Sequence, residues 1–234
     1  MPKKPFDEHA EQYDAWFLRN QKVLDSEVLL LRHFLTSPGN ALSVGCGSGL
    51  FEQILCTEHG IDIRYGVEPA SAMAEIAMKR GMQVKAGSAE HLPYGDAEFD
   101  TVILNGTPGY VENLRRAFSE AFRVVKPGGA IVVADVPAES SYGLLYQLAS
   151  RYGSWDDPYL KSLAPANPYP VEFAAAAKWR TTMEKAELLK AVGFVDLEYA
   201  QTLTRHPKYS NEAVERPVEG YDRGDYVAIR GRRP

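Results

Sequence analysis

Between residues 112 and 125, apolar side chains at Leu114, Ala117, Phe118, Ala121, Phe122 and Val125 return at intervals of three and four. That spacing is one face of a helix, and it predicts a helix over 112–125. The helix should stop at Lys126-Pro127-Gly128-Gly129, where proline cannot continue it and glycine supplies a turn. The same periodicity puts Leu24, Val28, Leu31 and Leu35 on one face of a helix over 21–36, closed by Pro38-Gly39. Further helices are expected near 50–59, 70–80 and 182–192. The last opens on Thr181-Thr-Met-Glu184, a capping box, and Gly193 follows its end. Short apolar runs at 41–45, 62–67, 82–86, 101–105 and 130–135 read as strands, with two more near 194–204 and 225–230. From 41 to 135 the two kinds of element alternate. Such alternation implies parallel strands joined by right-handed helical crossovers.

The first strand runs into glycines: residues 41–49 read Ala-Leu-Ser-Val-Gly-Cys-Gly-Ser-Gly, and helical spacing begins at Leu50. Glycines let a chain turn sharply and let a ligand approach its backbone. Glu68 sits at the tip of the next strand, where a carboxylate can accept hydrogen bonds from two ribose hydroxyls. Together they suit a nucleoside. The dinucleotide fingerprint G-x-G-x-x-G would put its last glycine at position 50 or 52, and these are Leu50 and Glu52. No Lys-Ser/Thr follows the glycines, which excludes a P-loop.

Five stretches, in order, carry a family resemblance: Ser43-Val-Gly-Cys-Gly-Ser-Gly49, Tyr65-Gly-Val-Glu-Pro69, Gly87-Ser-Ala-Glu-His-Leu-Pro93, Phe99-Asp-Thr-Val-Ile-Leu-Asn105 and Val124-Val-Lys-Pro-Gly-Gly129. With these the chain resembles the class I S-adenosylmethionine (SAM) methyltransferases. It is most similar to the small-molecule subgroup related to the ubiquinone and menaquinone methyltransferases. The resemblance spans 5–135 and, more loosely, 180–230. It implies an α/β, doubly wound, mostly parallel seven-stranded sheet, Rossmann-like, with an antiparallel edge hairpin and helices on both faces. It also implies SAM as cofactor and gives residues roles. Gly45, Cys46 and Gly47 would border the methionine part, largely through backbone, and Glu68 would hold the ribose. Pro69 and Met73 would line an adenine face, Ser88 and the Ala89 amide would meet the adenine edge, and the Asn105 carbonyl would border the sulfonium. Met73 equally suits the apolar face of its own helix. Two positions depart from the family pattern. It usually has an acid where Ser43 stands and often an Asp where Ser88 stands, so weaker cofactor retention is expected.

Residues 1–40 are expected to form an N-terminal helical cofactor cover, 41–135 the SAM-binding core, 136–180 a substrate cover or interface, and 181–234 the completion of the same α/β domain. The segment Phe6 to Phe17 contains Tyr13 and Trp16. Its aromatics either fold over the cofactor, as in the family, or pack as a short helix on the domain. Residues 136–180 hold five prolines and seven Tyr or Trp residues, which suits a substrate cover, a homodimer contact through 136–180, or both.

At 234 residues with net charge −5, the chain has a core of ordinary size and no general attraction to nucleic-acid phosphates, so no nucleic acid is expected as partner. Its two cysteines, Cys46 and Cys56, show neither disulfide nor metal spacing, so no metal is expected and a reducing, cytoplasmic setting fits. No apolar run approaches a membrane span, and no signal peptide is seen. Methyl transfer needs a base only when the acceptor arrives protonated. The loop Asn105-Gly-Thr-Pro-Gly-Tyr110 offers no His, Asp or Glu, which leaves Tyr110 as a candidate to orient an acceptor or to pack. The leading reading is a SAM-dependent methyltransferase acting on a small-molecule acceptor. A catalytically silent SAM- or nucleoside-binding protein is the alternative, and an NAD-linked oxidoreductase is disfavoured by the glycine spacing.

Overall fold

The computed structural model describes residues 5–234. Its centre is one sheet. Strands β1 (Ala41–Val44), β2 (Tyr65–Glu68), β3 (Gln83–Ala86), β4 (Phe99–Asn105) and β5 (Val125–Asp135) run parallel. Then β8 (Tyr226–Arg232) pairs antiparallel with both β5 and β6 (Val195–Thr202), and β7 (Val218–Glu219) pairs antiparallel with β6. The order is β3-β2-β1-β4-β5-β8-β6-β7, eight strands rather than the seven expected. The extra one, β7, has two residues and no apolar alternation, so the sequence carries no signal for it.

Helices flank the sheet: α1 (Pro5–Glu8), α2 (Ala10–Arg19), α3 (Gln21–Phe34), α4 (Leu50–His59), α5 (Ser71–Lys79), α6 (Leu114–Val124), α7 (Ser141–Tyr152), α8 (Pro158–Leu163), α9 (Val171–Ala176) and α10 (Thr182–Ala191). Alternate residues of each strand feed two cores, as a pleated strand requires. Val102, Leu104, Ile131 and Val133 pack with Phe118 of α6 and Leu189 of α10. Ile103, Val132 and Ala134 pack with α3, α4 and the aromatics of 142–174. The capping box forms at α10, with the Thr181 side chain accepting from the Glu184 amide and the Glu184 carboxylate accepting from the Thr181 amide. Among the described residues no helix is long and apolar enough to cross a membrane.

One expected turn is not a turn between elements. Lys126-Pro127-Gly128-Gly129 lies inside β5, as an irregularity between the Phe99–Val125 and Thr101–Ala130 pairs. Gly128, at φ 81°, bends the strand there, and its N–H donates to the Arg233 carbonyl at 2.8 Å. Backbone groups that a turn would give to water are thus tied to Arg233, the residue after β8.

Asp225 leads into β8 and is buried, with one oxygen accepting from the Tyr142 amide at 2.8 Å. Burial pushes its carboxyl up to about 7. An acid with a folded-state pKa above its unfolded value binds its proton more tightly in the fold. Its contribution to stability is therefore complete below about pH 4 and lost as pH rises toward about 7. Asp225→Asn keeps an acceptor for the Tyr142 amide. It should melt above wild type by a margin that widens between about pH 5 and about pH 8, read by thermal unfolding; a constant margin would mean that this carboxyl does not titrate there.

Candidate active site

The carboxyl ends of β1, β2, β4 and β5 open on one side of the sheet, and β1 is the point where the chain's winding reverses. The glycine loop lies there. Gly45 and Gly47 adopt φ of 67° and 55°, the left-handed region that side chains avoid. The Gly45 N–H donates to the Val67 carbonyl at 2.7 Å. A Cβ on Gly45 would sit 2.6 Å from Thr107 Cγ2, so only glycine fits. Thr107 Oγ1 donates to the Val44 carbonyl at 2.9 Å, fastening the β4 end to the β1 end. A Cβ on Gly47, in contrast, would meet no atom within 4 Å.

Glu68 braces the loop from the neighbouring strand. Its Oε2 accepts from the Gly47 N–H and its Oε1 from the Ala70 N–H, both at 2.9 Å. Two charge-assisted bonds of this kind fix the direction of the carboxylate. The loop's other side is held by charge from α2. Asp14 accepts from Ser48 Oγ at 2.5 Å and pairs with Arg80 at 2.7 Å, while Arg80 also donates to the Ser48 carbonyl at 2.8 Å.

Ser43 does not stand without an acid. Its hydroxyl donates to Glu52 Oε1 at 2.6 Å, and both side chains are buried. Burial raises the Glu52 carboxyl above its ordinary range, and the Ser43 bond and Arg80 offset part of that. The acid beside Ser43 thus comes from the first turn of α4, one helix turn beyond the glycines.

A cavity of about 390 Å³ lies above the loop, the size of a small-molecule site. One wall carries Gly45, Gly47, Glu68, Pro69, Met73, Ser88, Ala89 and Asn105. Tyr13 and Tyr110 also line it, so all but one of the residues singled out from the sequence meet at one cavity. Cys46 is the exception. Its Sγ packs with Ala77 and Met82 and closely against Gly66, and burial pushes the thiol well up. Only its backbone belongs to the loop.

The opposite wall and the roof are aromatic. Phe6 stacks on Phe173 at 4.9 Å and meets Tyr110 edge-on at 4.7 Å. Tyr169 lies 5.7 Å from Tyr146, with its hydroxyl 3.4 Å from that of Tyr110. Trp16 Nε1 and Trp155 Nε1 donate to the carbonyls of Asn167 and Tyr169 at 3.0 and 2.8 Å, anchoring the 165–175 stretch from both sides. Burial raises the phenols of Tyr13, Tyr110, Tyr146 and Tyr169, so each stays protonated near neutrality. Tyr110 can hold a polar group but cannot take its proton.

Where the two walls meet, at the ends of β4, β5 and β8, Tyr226 Oη donates to Asn105 Oδ1 at 2.8 Å and Asp135 pairs with Lys185 at 3.1 Å. Glu27 of α3 lines this corner with them. The sequence reading passed over Glu27, Asp135 and Tyr226. A signal for Glu27 existed, because it is an acid inside the buried run Val23, Leu24, Val28, Leu31 of α3.

The residues over 42–133 match the family model for a methyltransferase domain. A crystal structure from Thermotoga maritima, described as a SAM-dependent methyltransferase and possible histamine N-methyltransferase, is 32% identical, covers 98% of both chains and superimposes with a TM-score of 0.83. The chain belongs to the SAM-dependent methyltransferases. An uncharacterized protein of Methanocaldococcus jannaschii is also 32% identical to this methyltransferase, over 96% of both chains. The fold extends to the geranyl diphosphate C-methyltransferase of Streptomyces coelicolor, solved with S-adenosyl-L-homocysteine. That structure is 17% identical with a TM-score of 0.57, covering 87% of this chain and 78% of the other. The open space at Gly47 and the braced Glu68 carboxylate are what a nucleoside cofactor needs from this methyltransferase: close backbone approach and an oriented acceptor.

Two substitutions separate folding from binding in the loop. Gly47→Ala places a methyl in the open cavity without touching protein atoms. It should cost about 1 kcal/mol of stability for the left-handed backbone, yet weaken SAM binding tenfold or more by calorimetry. Unchanged affinity would remove the loop from the cofactor site. Ser43→Asp sets a second carboxyl against Glu52. It should lower the melting temperature, and more so at about pH 8 than at about pH 5, because two carboxyls in contact cannot both ionise. A stabilised variant would mean the Ser43–Glu52 contact does not form.

Proposed function

We propose that this methyltransferase holds SAM along the wall of Gly45, Glu68 and Ser88 and passes its methyl group to a small molecule held among Tyr110, Tyr146, Tyr169 and Trp179. The observation that carries this reading is that both sets of residues line one continuous cavity. Bound SAM supplies an activated methyl carbon, so the protein's part is alignment and the exclusion of water. Glu68 is suited to hold ribose hydroxyls, since each carboxylate oxygen can accept more than one hydrogen bond. Ser88 and the Ala89 amide are suited to the adenine edge, beside Pro69 and Met73. The Asn105 side chain is fixed by Tyr226, and its backbone is suited to border the methyl donor.

The roof is drawn from two distant parts of the chain, 6–17 and 136–180. We assign both to covering the reacting groups. The inward aromatics of the second part line the cavity, whereas Leu144, Leu148 and Tyr152 of α7 face outward and are exposed. Contact with a second copy of the chain would fall to that outer stripe. A cytoplasmic setting suits two free cysteines.

Incubation with labelled SAM and a metabolite extract tests the transfer. A labelled small molecule is expected, and SAM binding without any labelled product would support the catalytically silent alternative. The cover is tested by hydrogen exchange. Amides in 6–17 and 136–180 should slow on adding S-adenosylhomocysteine, by more than those of 114–124. Equal change in all three would deny those segments a covering role.

A further inference from the structure

Glu27 is 5% exposed and lines the cavity, and among the described residues no hydrogen bond or ion pair reaches its carboxyl. Among the described residues the other acids at this end of the sheet, the partly buried Asp135 included, have partners: Glu52 has Ser43, Glu68 has two amides, Asp14 has Ser48 and Arg80, and Asp135 has Lys185. A carboxyl taken out of water with no partner is costly, and such groups are kept where a ligand completes them. Among the described residues, the groups that face it add no positive charge. They are Tyr13 of α2, Tyr142 and Tyr146 of α7, Tyr226 of β8, and Asp135 of β5, whose charge Lys185 already balances. Among the described residues the one basic side chain lining the cavity, Lys178, is paired with Glu112. Tyr146, Tyr169 and Trp179 also line the cavity, and an aromatic ring attracts a cation placed over its face.

We propose that the methyl acceptor is a primary or secondary amine and that Glu27 binds its nitrogen and takes its proton. This rests on the methyltransferase reading above. An amine enters protonated, and its ammonium donates to Glu27 beside Asn105. One N–H proton passes to the carboxylate, leaving a neutral amine and a carboxylic acid. The freed lone pair forms the N–C bond to the methyl carbon, the C–S bond breaks, and its electron pair stays on sulfur. The products are a methylated ammonium, S-adenosylhomocysteine and the proton held on Glu27, which passes to water when the site opens, and no further reactant is needed. Burial raises the Glu27 carboxyl, which brings its proton affinity closer to that of an amine and makes the first transfer less uphill.

The test uses the full chain, labelled SAM and a metabolite extract, with the methylated atom of each product identified by mass spectrometry. A set of arylethylamines is run beside the matching arylethanols and arylacetates. Methyl groups on nitrogen, with amines accepted and their alcohol and acid counterparts ignored, are expected. Glu27→Gln should lower kcat/KM for the accepted amine at least a hundredfold, while S-adenosylhomocysteine affinity stays within threefold and the melting temperature is equal or higher. That combination does not arise from a merely structural carboxyl. Methyl groups found on oxygen, carbon or sulfur, or full activity in Glu27→Gln, would overturn the proposal and leave the methyltransferase reading standing. SAM binding with no methylated amine in either pool would overturn it as well, and with no labelled product of any kind it would favour the catalytically silent alternative. Failure of wild type to bind SAM at all would instead remove the reading on which the proposal rests.

Discussion

Carboxylates at the open end of the sheet have to be taken out of water, and the site is arranged around how that is done. A buried charge is tolerated only when hydrogen bonds or an opposite charge replace its hydration. Asp14 meets this with a hydroxyl and a guanidinium, and in doing so it fixes α2 to the glycine loop. Glu68 meets it with the N–H groups of Gly47 and Ala70, and so sets the spacing between the ends of β1 and β2. Asp135 meets it with Lys185, which reaches from α10 to the end of β5. Each solution is also a structural tie, so the electrostatic requirement and the shape of the cavity are the same arrangement seen twice.

The roof answers a different demand. A sheet with open carboxyl ends exposes whatever binds there, and the glycine loop's two side chains, Cys46 and Ser48, are engaged with Met82 and Asp14 rather than shielding it. Aromatic rings cover area at little cost in side-chain freedom and can turn a polar edge to a partner. Trp16 and Trp155 do so, giving their N–H groups to the backbone near Tyr169 from opposite sides. Arg180 continues the attachment, donating to the carbonyls of Pro108 and Val111 on the loop after β4. The insertion is therefore sewn to the core at both ends of the cavity wall.

What the sequence made legible was local. Gly45, Gly47 and Glu68 announce themselves because turn geometry and strand tips are encoded within a few residues. The helices expected over 50–59 and 182–192 follow from period and caps in the same way. What stayed hidden depends on chain separation. The Ser43–Glu52 contact looks like a missing acid until α4 is folded back over β1. Glu27 reads as one more charge on a helix until α3 is laid against β5. Lys126-Pro-Gly-Gly129 reads as a turn because its pairing with Arg233 comes from the far end of the chain. Strand β7 is too short to carry a pattern.

The Phe6–Phe173 stack joins the opening of the chain to a segment made much later. During synthesis Phe6, Tyr13 and Trp16 leave the ribosome early, and the partners that cover them emerge only after the whole parallel core. For that interval the aromatic face of α2 is exposed on a nascent chain. Until residues 146–173 follow, those rings lack the partners that bury them in the folded chain, and the roof can close only after that stretch has been made.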